Sequence, residues 1–338
     1  MKSLKLLASE KMLRILGLSL FVSISALSAE EGDPFYYNKL SAPRGAQDLL
    51  KIQNALQEGI ARVRPATVAI RMDNGAGSGV IVSADGLVLT AAHVSGGVDK
   101  SMTVIMEDGT EYEAISLGLD SETDAAMIQI QGEVDLPYVQ LATGSRNQLG
   151  DWVFVVAHPG GYDQDRGSVV RLGRMIRQQK TTSQSDCALI GGDSGGPLFN
   201  MKGELIGINS RVGKTVEESL HVPLPVFEQN WERLKSGEFI GEGPFAEKPS
   251  KGSGVLGVQL AEGDGASGAL VDQVMENSAA SEAGVKDGDL LTAVNGDEVK
   301  SREELIGFMK EITPGEIVTL SVLRGDEELE LKVKVRPR

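Results

Sequence analysis

The stretch Gly191-Gly192-Asp193-Ser194-Gly195-Gly196-Pro197 decides the fold and the chemistry of this chain. Four glycines and a proline around one serine predict a tight loop whose backbone N–H groups converge beside the hydroxyl. The N–H groups of Gly192 and Ser194 would stabilise an oxyanion at that point by about 3 kcal/mol each. A glycine-rich turn that merely contains a serine has the same composition. The partners of Ser194 elsewhere in the chain therefore distinguish the two interpretations.

A nucleophilic serine needs a histidine that takes its proton and a carboxylate that orients the histidine. The chain has three histidines. One of them, His93, follows a pattern over residues 77–90 that is typical of a strand, an Asp-Gly turn and a second strand. Asp124 leads into an apolar strand, where a partly buried carboxylate needs a partner. The order His93, Asp124, Ser194 is that of the chymotrypsin arrangement.

Three motifs around these residues resemble the HtrA/Deg family of trypsin-like serine proteases. They are Thr90-Ala91-Ala92-His93-Val94, Thr123-Asp124-Ala125-Ala126 and Gly192-Asp193-Ser194-Gly195-Gly196-Pro197-Leu198, followed by Gly203-Glu204-Leu205-Ile206-Gly207-Ile208-Asn209-Ser210. The resemblance covers residues 64–225. It implies a mainly β protein with two antiparallel six-stranded β-barrels of the chymotrypsin type, and His93, Asp124 and Ser194 as a catalytic triad in their cleft. Short strands separated by Gly and Asp turns, one of them predicted over residues 188–190, agree with this architecture.

Asp193 departs from the pattern, because that family usually has asparagine before the serine. In the trypsin branch, which also has aspartate there, the carboxylate pairs with a new N-terminus that zymogen cleavage releases. The sequence contains no Ile-Val-Gly-Gly activation site. We therefore expect backbone donors, water or an arginine such as Arg174 or Arg177 to hold the carboxylate. We also expect Asp193→Asn to keep substantial activity.

The side chains that line the substrate pocket beside the serine decide which peptide bond would be cut. Matching of the flanking strands to the family predicts that Leu189 and Val212 line the S1 pocket and that His221 lies near its floor. The resemblance also places the Ser210 hydroxyl near Asp124 and the Ser210 carbonyl beside the substrate strand. Apolar walls without an aspartate at the base favour Ala, Val or Leu over Lys or Arg. Two states of His221 stay open, a neutral hydrogen-bonded filler or an imidazole that gains charge in mild acid, near its ordinary pKa of about 6.5.

Residues 1–29 are interpreted as a secretory signal peptide. Four basic residues precede an apolar run over residues 15–27, and the small pair Ser28-Ala29 follows. An uncleaved membrane anchor is the alternative, because Leu27 is an unusual residue three positions before the cut. No later stretch approaches the roughly 20 apolar residues that a membrane helix needs. Both interpretations predict an exported protein, either periplasmic or secreted.

The composition indicates a soluble exported protein of two domains, because 338 residues exceed what one core usually organises. A formal net charge of −15 repels phosphate backbones and argues against nucleic-acid partners. Cys187 is the single cysteine, so no intrachain disulfide forms, and its expected role is that of a small apolar residue. His158 is expected to cap a strand, with no carboxylate motif beside it. The sequence contains no readable cofactor motif or metal site.

The segment over residues 30–64 is predicted to combine aromatic residues with a helix. The stretch Phe35-Tyr36-Tyr37 precedes a helical pattern over residues 46–63. In HtrA-like proteases such aromatic residues join three protomers, so the resemblance suggests a homotrimer. Padding of the protein's own surface is the alternative.

A trypsin-like domain is expected over residues 65–235 with a helix at its end, and a linker rich in Gly, Pro, Lys and Glu over residues 236–253. Residues 254–338 resemble a PDZ domain of the α+β class. The stretches that carry this resemblance are Val255-Leu256-Gly257-Val258, Ser278-Ala279-Ala280-Ser281-Glu282-Ala283-Gly284-Val285, Asp287-Gly288-Asp289-Leu290-Leu291 and Val294-Asn295-Gly296. A helix is predicted from Ser301, with a capping box that Glu304 completes.

A PDZ domain binds a peptide C-terminus as an added strand and holds its carboxylate in a nest of N–H groups. The resemblance places that nest at Leu256, Gly257 and Val258, with Leu260 and Leu305 near the last side chain of the peptide. A domain that packs against the barrels and binds nothing is the alternative.

Two functions from different classes follow. The first is an exported serine endopeptidase that cleaves unfolded or damaged polypeptides and uses the PDZ domain for recruitment or regulation. The second is a catalytically silent scaffold that binds peptides and keeps the fold. The presence of His93, Asp124 and Ser194, each in its own motif, favours the enzyme.

Overall fold

The structure is a computed structural model and describes residues 33–73, 75–143, 147–213, 218–262 and 268–337. The signal peptide predicted over residues 1–29 lies outside these ranges. A 3₁₀ turn (Tyr36–Lys39) precedes helix α1 (Ala46–Val63), which has the bounds that its periodicity predicts. A second 3₁₀ turn (Arg64–Ala66) leads into the first strand. None of the helices in the described ranges is long and apolar enough to cross a membrane.

The two tyrosines of the stretch Phe35-Tyr36-Tyr37 are buried in the core of their own chain. The Tyr36 hydroxyl donates to the buried carboxylate of Asp48, and the Lys51 ammonium lies 4.7 Å from the centre of the Tyr36 ring. Phe35 is half-buried and packs against the same core. For the two tyrosines, these contacts favour padding of the protein's own structure over an interface between protomers.

The first barrel is formed by six strands and carries one short helix after its third strand. They are β1 (Thr67–Met72), β2 (Gly75–Ile81), β3 (Leu87–Ala91), α2 (Ala92–Ser95), β4 (Ser101–Ile105), β5 (Glu111–Asp120) and β6 (Ala125–Ile130). The antiparallel order is β4-β1-β2-β3-β6-β5, and pairing of β5 with both β4 and β6 closes the barrel. Its interior is filled by fully buried aliphatic side chains such as Ile70, Leu89 and Met127.

The second barrel is also closed and antiparallel. Its strands are β7 (Trp152–Ala157), β8 (Val169–Gln178), β9 (Ser183–Ser185), β10 (Pro197–Asn200), β11 (Leu205–Val212) and β12 (Ser219–Pro223), in the order β7-β8-β9-β12-β11-β10. Helix α3 (Leu224–Lys235) follows and buries Phe227 and Leu234 completely. The predicted architecture of two six-stranded barrels is confirmed.

Residues 188–190, predicted as a strand, form an irregular segment instead. Their backbone donors bond to side chains rather than to a neighbouring strand. The Leu189 N–H donates to the Ser219 hydroxyl (3.2 Å), and the Ile190 N–H donates to the Asp193 carboxylate (2.8 Å). The prediction of a strand was wrong because the N–H groups of Leu189 and Ile190 bond to side chains, so they do not pair with a neighbouring strand.

The linker was predicted over residues 236–253. Its first half is attached to the first barrel by hydrogen bonds. Strand β13 (Phe239–Ile240) pairs in parallel with the end of β5. Ser121, which follows β5, uses its N–H, hydroxyl and carbonyl to hold the linker. Its partners are the Ile240 carbonyl (2.9 Å), the Gly243 N–H (2.9 Å) and the Phe245 N–H (3.2 Å). The linker is therefore structured up to Phe245.

The C-terminal domain is a small α+β unit, as predicted. It contains β14 (Gly254–Val255), β15 (Val258–Leu260), β16 (Ala269–Val274), α4 (Ala279–Glu282), β17 (Leu290–Val294), β18 (Asp297–Glu298), α5 (Arg302–Met309), β19 (Ile317–Arg324), β20 (Glu327–Lys334) and β21 (Arg336–Pro337). The main sheet has the order β15-β16-β17-β19-β20. The Ser301 hydroxyl caps α5 by accepting from the Glu304 N–H (3.2 Å), whereas the Glu304 carboxylate accepts from the Lys300 N–H (2.7 Å).

Candidate active site

His93 and Asp124 are brought together where the ends of β3 and β6 meet. His93 lies in α2, and its backbone N–H donates to Asp124 Oδ1 over 3.1 Å. The imidazole Nδ1 lies 3.0 Å from both oxygens of the same carboxylate. Asp124 is fully buried and has a φ of +70°, a conformation that aspartate adopts more readily than most residues. The backbone and the ring of His93 are therefore both fixed by one carboxylate.

Ser210 completes the surroundings of that carboxylate. Its hydroxyl donates to Asp124 Oδ2 over 2.5 Å. Both oxygens of the carboxylate therefore have partners, and hydrogen bonds to a carboxylate at this length are strong. A proton on Nδ1 of His93 is bound by this carboxylate, so Nε2 is the nitrogen left to accept a proton.

The Ser194 hydroxyl lies in the same cleft and donates to the Ser210 carbonyl over 3.1 Å. Within the described ranges, no hydrogen bond joins it to His93. Proton transfer to the imidazole thus requires the hydroxyl to turn from this carbonyl toward Nε2. Catalytic hydrogen bonds often tighten only when a substrate is bound. Ser210 thus connects two of the predicted triad residues, because its carbonyl accepts from Ser194 and its hydroxyl donates to Asp124.

The loop before Ser194 turns its carbonyl groups away from the hydroxyl. The Gly191 carbonyl accepts from the Gly160 N–H (2.9 Å), and the Gly192 carbonyl accepts from the Ser78 hydroxyl (2.8 Å). Among the described residues, no acceptor takes the N–H of either Gly192 or Ser194. Both donors are free for an oxyanion.

Glycine is the residue type that position 192 requires. Its φ is +94°, and a Cβ added there would lie 2.1 Å from the Gly160 nitrogen. A side chain would therefore displace either this loop or the segment 158–161 that packs behind it.

Asp193 is fully buried, and Arg171 of β8 pairs with it. The guanidinium contacts both carboxylate oxygens, Nη1 to Oδ1 over 3.2 Å and Nη2 to Oδ2 over 3.1 Å. The Ile190 N–H donates to Oδ2 over 2.8 Å. Burial raises the pKa of the Asp193 carboxyl, and the Ile190 N–H and the Arg171 charge oppose this rise.

The expectation that an arginine holds Asp193 is confirmed, but Arg174 and Arg177 were the wrong residues. The Arg174 guanidinium donates to the carbonyls of Leu40 (3.0 Å) and Gly150 (2.6 Å), and it lies 4.3 Å from the centre of the Trp152 ring. Arg177 is exposed. Arg171 is the partner of Asp193 that the sequence analysis missed, because composition does not distinguish it from Arg174 and Arg177 of the same strand.

The predicted S1 residues have different surroundings. Leu189 is buried, whereas the Val212 side chain is 48% exposed. His221 is buried between two hydrogen-bond partners, with Nε2 2.7 Å from the Ser185 hydroxyl and Nδ1 2.9 Å from the Asn209 side-chain oxygen. Burial lowers the pKa of His221 to about 3. Burial and these two hydrogen bonds favour the neutral interpretation over a charge gained in mild acid. The position of His221 at the floor of an S1 pocket stays a prediction.

Cys187 and His158, which lie outside the predicted triad, are both buried, and burial favours their neutral forms. Burial raises the pKa of the Cys187 thiol to about 12, as expected of an inert buried cysteine. His158 is fully buried at the end of β7, and burial lowers its pKa. Contrary to the sequence analysis, a carboxylate lies near it, with Nε2 3.8 Å from Glu107. The described residues contain no cluster of His, Cys, Asp and Glu that would hold a metal ion.

The two buried histidines predict a loss of stability in acid. An unfolded histidine takes up a proton below about pH 6.5, whereas folded His221 stays neutral down to about pH 3. Protons therefore favour the unfolded chain, and stability falls as the pH falls through this window. We expect the urea midpoint to decrease from pH 7 to pH 4, and His221→Gln to reduce this decrease. An equal decrease in wild type and variant would contradict the prediction.

The predicted peptide groove of the PDZ domain lies along β15. This strand stands at the edge of its sheet, and its only described strand partner is β16. Among the described residues, nothing accepts from the N–H groups of Leu256 and Gly257, which precede β15. Leu256 and Leu305 are buried in the domain core, while Val258 and Leu260 are half-buried. The edge strand β15 thus has backbone donors just before it and half-buried apolar side chains along it.

The chain resembles known proteins over both domains. Residues 77–208 match the family described as trypsin-like peptidase domain, and residues 254–335 match the PDZ domain family. A protein of Ectopseudomonas mendocina (strain ymp), named "Probable periplasmic serine endoprotease DegP-like", is 34% identical over 270 residues, which cover 77% of this chain and 56% of that protein. A protein of the same name from Rickettsia prowazekii (strain Madrid E) is 30% identical over 278 residues, which cover 77% and 52%.

The chain thus spans about half the length of the curated relatives it matches. Among solved structures, the serine endoprotease from Yersinia pestis matches 83% of this chain and 97% of its own, with 25% identity and a TM-score of 0.48.

The two closed barrels and the small C-terminal unit define a trypsin-like peptidase domain followed by a PDZ domain. Over these two domains the chain is similar to proteins named DegP-like periplasmic serine endoproteases.

Proposed function

We propose that this chain is a serine endopeptidase with Ser194 as nucleophile, His93 as general base and acid, and Asp124 as the group that orients the imidazole. The geometry of His93, Asp124 and Ser210 carries the proposal. A buried carboxylate that binds Nδ1 and the Ser210 hydroxyl leaves Nε2 as the nitrogen that can take the proton of Ser194, whose hydroxyl donates to the Ser210 carbonyl.

The reaction follows from this arrangement. The Ser194 oxygen attacks the substrate carbonyl while its proton passes to His93 Nε2. The N–H groups of Gly192 and Ser194 receive the oxyanion. The imidazolium then gives its proton to the leaving amine, and a water molecule activated by the same imidazole hydrolyses the acyl-enzyme.

Labelling with a fluorophosphonate tests the proposal, since the reagent reacts with an activated serine. We expect the wild type to be labelled and to digest casein, and Ser194→Ala to do neither. A folded wild type that is not labelled would favour the catalytically silent scaffold instead.

We propose unfolded or damaged polypeptides as substrates, in the periplasm or another exported compartment. The relatives are named periplasmic, and the signal peptide predicted over residues 1–29 agrees with export. An unfolded chain can enter the cleft as an extended strand beside Ser210, whereas a folded protein presents few such segments. Whether the N-terminal segment is cleaved or remains as an anchor follows from the mass of the mature protein.

A homotrimer is the assembly that the resemblance implies. Since Tyr36 and Tyr37 are buried in their own core, the half-buried Phe35 is the member of the stretch with surface left for a second copy. Light scattering of the purified chain gives the assembly state.

The S1 pocket is proposed to select small or aliphatic side chains. Leu189 and Val212 supply apolar walls, and His221 stays neutral at its floor because of its burial. We expect cleavage after Val or Ala to dominate in a peptide library analysed by mass spectrometry, with the same preference from pH 5 to pH 8. His221→Ala is expected to widen the preference toward larger apolar residues. A dominant preference for Lys or Arg would refute this pocket.

The PDZ domain is proposed to bind peptide C-termini for recruitment or regulation. The free N–H groups of Leu256 and Gly257, with Val258 behind them, form the carboxylate nest. Gly257 has a φ of +78°, and an added Cβ would lie 2.3 Å from the Ser278 Cβ.

We therefore expect Gly257→Ala to weaken binding of an apolar C-terminal peptide at least tenfold in calorimetry. The matched control is Gly284→Ala, because that glycine also has a positive φ but an added Cβ would meet open space. Equal weakening by both variants would indicate general strain rather than a damaged nest.

A further inference from the structure

We propose that Arg171 is a positioning residue, which holds the loop 190–194 in the shape that presents the N–H groups of Gly192 and Ser194 to the substrate carbonyl. This role deepens the proposed function and rests on it. Arg171 touches neither the triad nor the oxyanion position and acts through Asp193.

The ion pair joins two separate elements of the second barrel. Arg171 lies within β8 and its side chain is 14% exposed, while Asp193 lies in the loop and is fully buried. The guanidinium approaches the carboxylate end-on through Nη1 and Nη2, at 3.2 and 3.1 Å. Such a two-point contact fixes the orientation of the carboxylate as well as its distance from the strand.

The main-chain N–H and carbonyl of Asp193 are both fixed by hydrogen bonds. Its N–H donates to the Ile190 carbonyl (3.1 Å), and its carbonyl accepts from the Gly196 N–H (3.0 Å) and the Asn209 side chain (3.1 Å). Gly192 and Ser194 are the immediate neighbours of this residue. A shift of the carboxylate therefore moves both of the free N–H groups.

Removal of the guanidinium would leave a buried carboxylate without its cation. A buried ion that loses its partner is strongly destabilised, so the carboxyl takes up a proton or turns toward water. Without the two-point contact, either response frees the loop from β8. In the trypsin branch a released N-terminus supplies the cation, whereas here β8 supplies it from within the folded chain. The loop is thus neutralised without a cleavage step.

The test compares three variants by steady-state hydrolysis of one fluorogenic peptide: Arg171→Met, Asp193→Asn and the double variant. For Arg171→Met we expect kcat to fall about 100-fold or more, the loss typical of a missing oxyanion donor, with KM changed less than about threefold. Asp193→Asn is expected to stay within about tenfold of wild type, because asparagine needs no cation. Arg177→Met is the matched control, since Arg177 is an exposed residue of the same strand.

Rescue separates positioning from general stabilisation. In the double variant the buried charge and its missing partner are both gone, so kcat is expected to return to the level of Asp193→Asn. A folded Arg171→Met with kcat within threefold of wild type would overturn the inference. So would a folded double variant whose kcat stays 100-fold below that of Asp193→Asn.

If Arg171→Met fails to fold by circular dichroism, the double variant decides alone by the same comparison. A wild type that is not labelled by fluorophosphonate would overturn the proposed function itself, whatever the variants do.

Discussion

Asp124→Asn is expected to lower kcat by about 10⁴-fold while leaving the fold intact. The carboxylate accepts from the backbone and ring of His93 on one side and from the Ser210 hydroxyl on the other. An amide of the same shape has one acceptor atom and brings two N–H groups into this cluster of donors. The imidazole then turns or adopts the other tautomer, and Nε2 no longer accepts the serine proton. Hydrolysis of a fluorogenic peptide, with circular dichroism of the same samples, measures the effect.

Ser194→Ala should reduce turnover by several powers of ten through loss of the nucleophile. Ser83→Ala serves as its control, because among the described residues the Ser83 hydroxyl bonds within its own turn, to Asp85 and the Leu87 N–H. Proteolysis by Ser194→Ala at the wild-type rate would end the assignment of the nucleophile. An Asp124→Asn variant with wild-type kcat would do the same for the orienting carboxylate.

Gly192→Ala is the second change for which we expect a large loss, about 10² to 10³ in kcat. The φ of +94° and the 2.1 Å approach of an added Cβ to the Gly160 nitrogen force the peptide of Gly192 out of its place. Its N–H then no longer points at the oxyanion. Binding of the substrate strand beside Ser210 does not depend on this N–H, so KM should change much less.

Gly191→Ala is the matched control for this prediction. An added Cβ on Gly191 meets no atom within 4 Å, and its φ lies outside the left-handed region. We expect this neighbour to retain kcat within a few-fold of wild type. Equal losses in the two alanine variants would show that the whole loop, rather than one donor, had been disturbed.

The triad could be predicted because each of its residues carries a local signal. His93 ends a small-residue corner after a strand, Asp124 opens an apolar strand, and glycines surround Ser194. A short stretch of chain is enough to recognise each signal. Their joint placement then follows from the fold that these motifs resemble.

Arg171 could not be predicted because strand orientation decides its role. Hydrophobicity alone would turn Leu172 and Ile176 of β8 toward the interior, yet both are exposed, and Arg171 points inward. The side chains of a strand alternate between its two faces, so this choice follows from the pairing of the whole strand rather than from its composition. The ion pair with buried Asp193 compensates for turning Arg171 inward.

The neutral state of His221 was also beyond the sequence. The sequence does not distinguish a histidine with a pKa near 6.5 from one with a pKa of about 3. The low pKa of His221 comes from its burial between Ser185 and Asn209. Similarly, the free thiol of Cys187 is inert because of its burial.

The attachment of β13 to β5 determines where the chain can be truncated. A protease fragment that stops at residue 235, where composition suggests a boundary, loses Phe239 and Ile240 from the sheet. It uncovers the strand edge at the end of β5 and leaves the N–H of buried Ser121 without the Ile240 carbonyl. Ser121 lies three residues before Asp124, so the damage falls on the segment that carries the carboxylate proposed to orient His93. A fragment that extends through residue 246 retains β13, the three hydrogen bonds of Ser121 and the packing of Phe245 and Ala246.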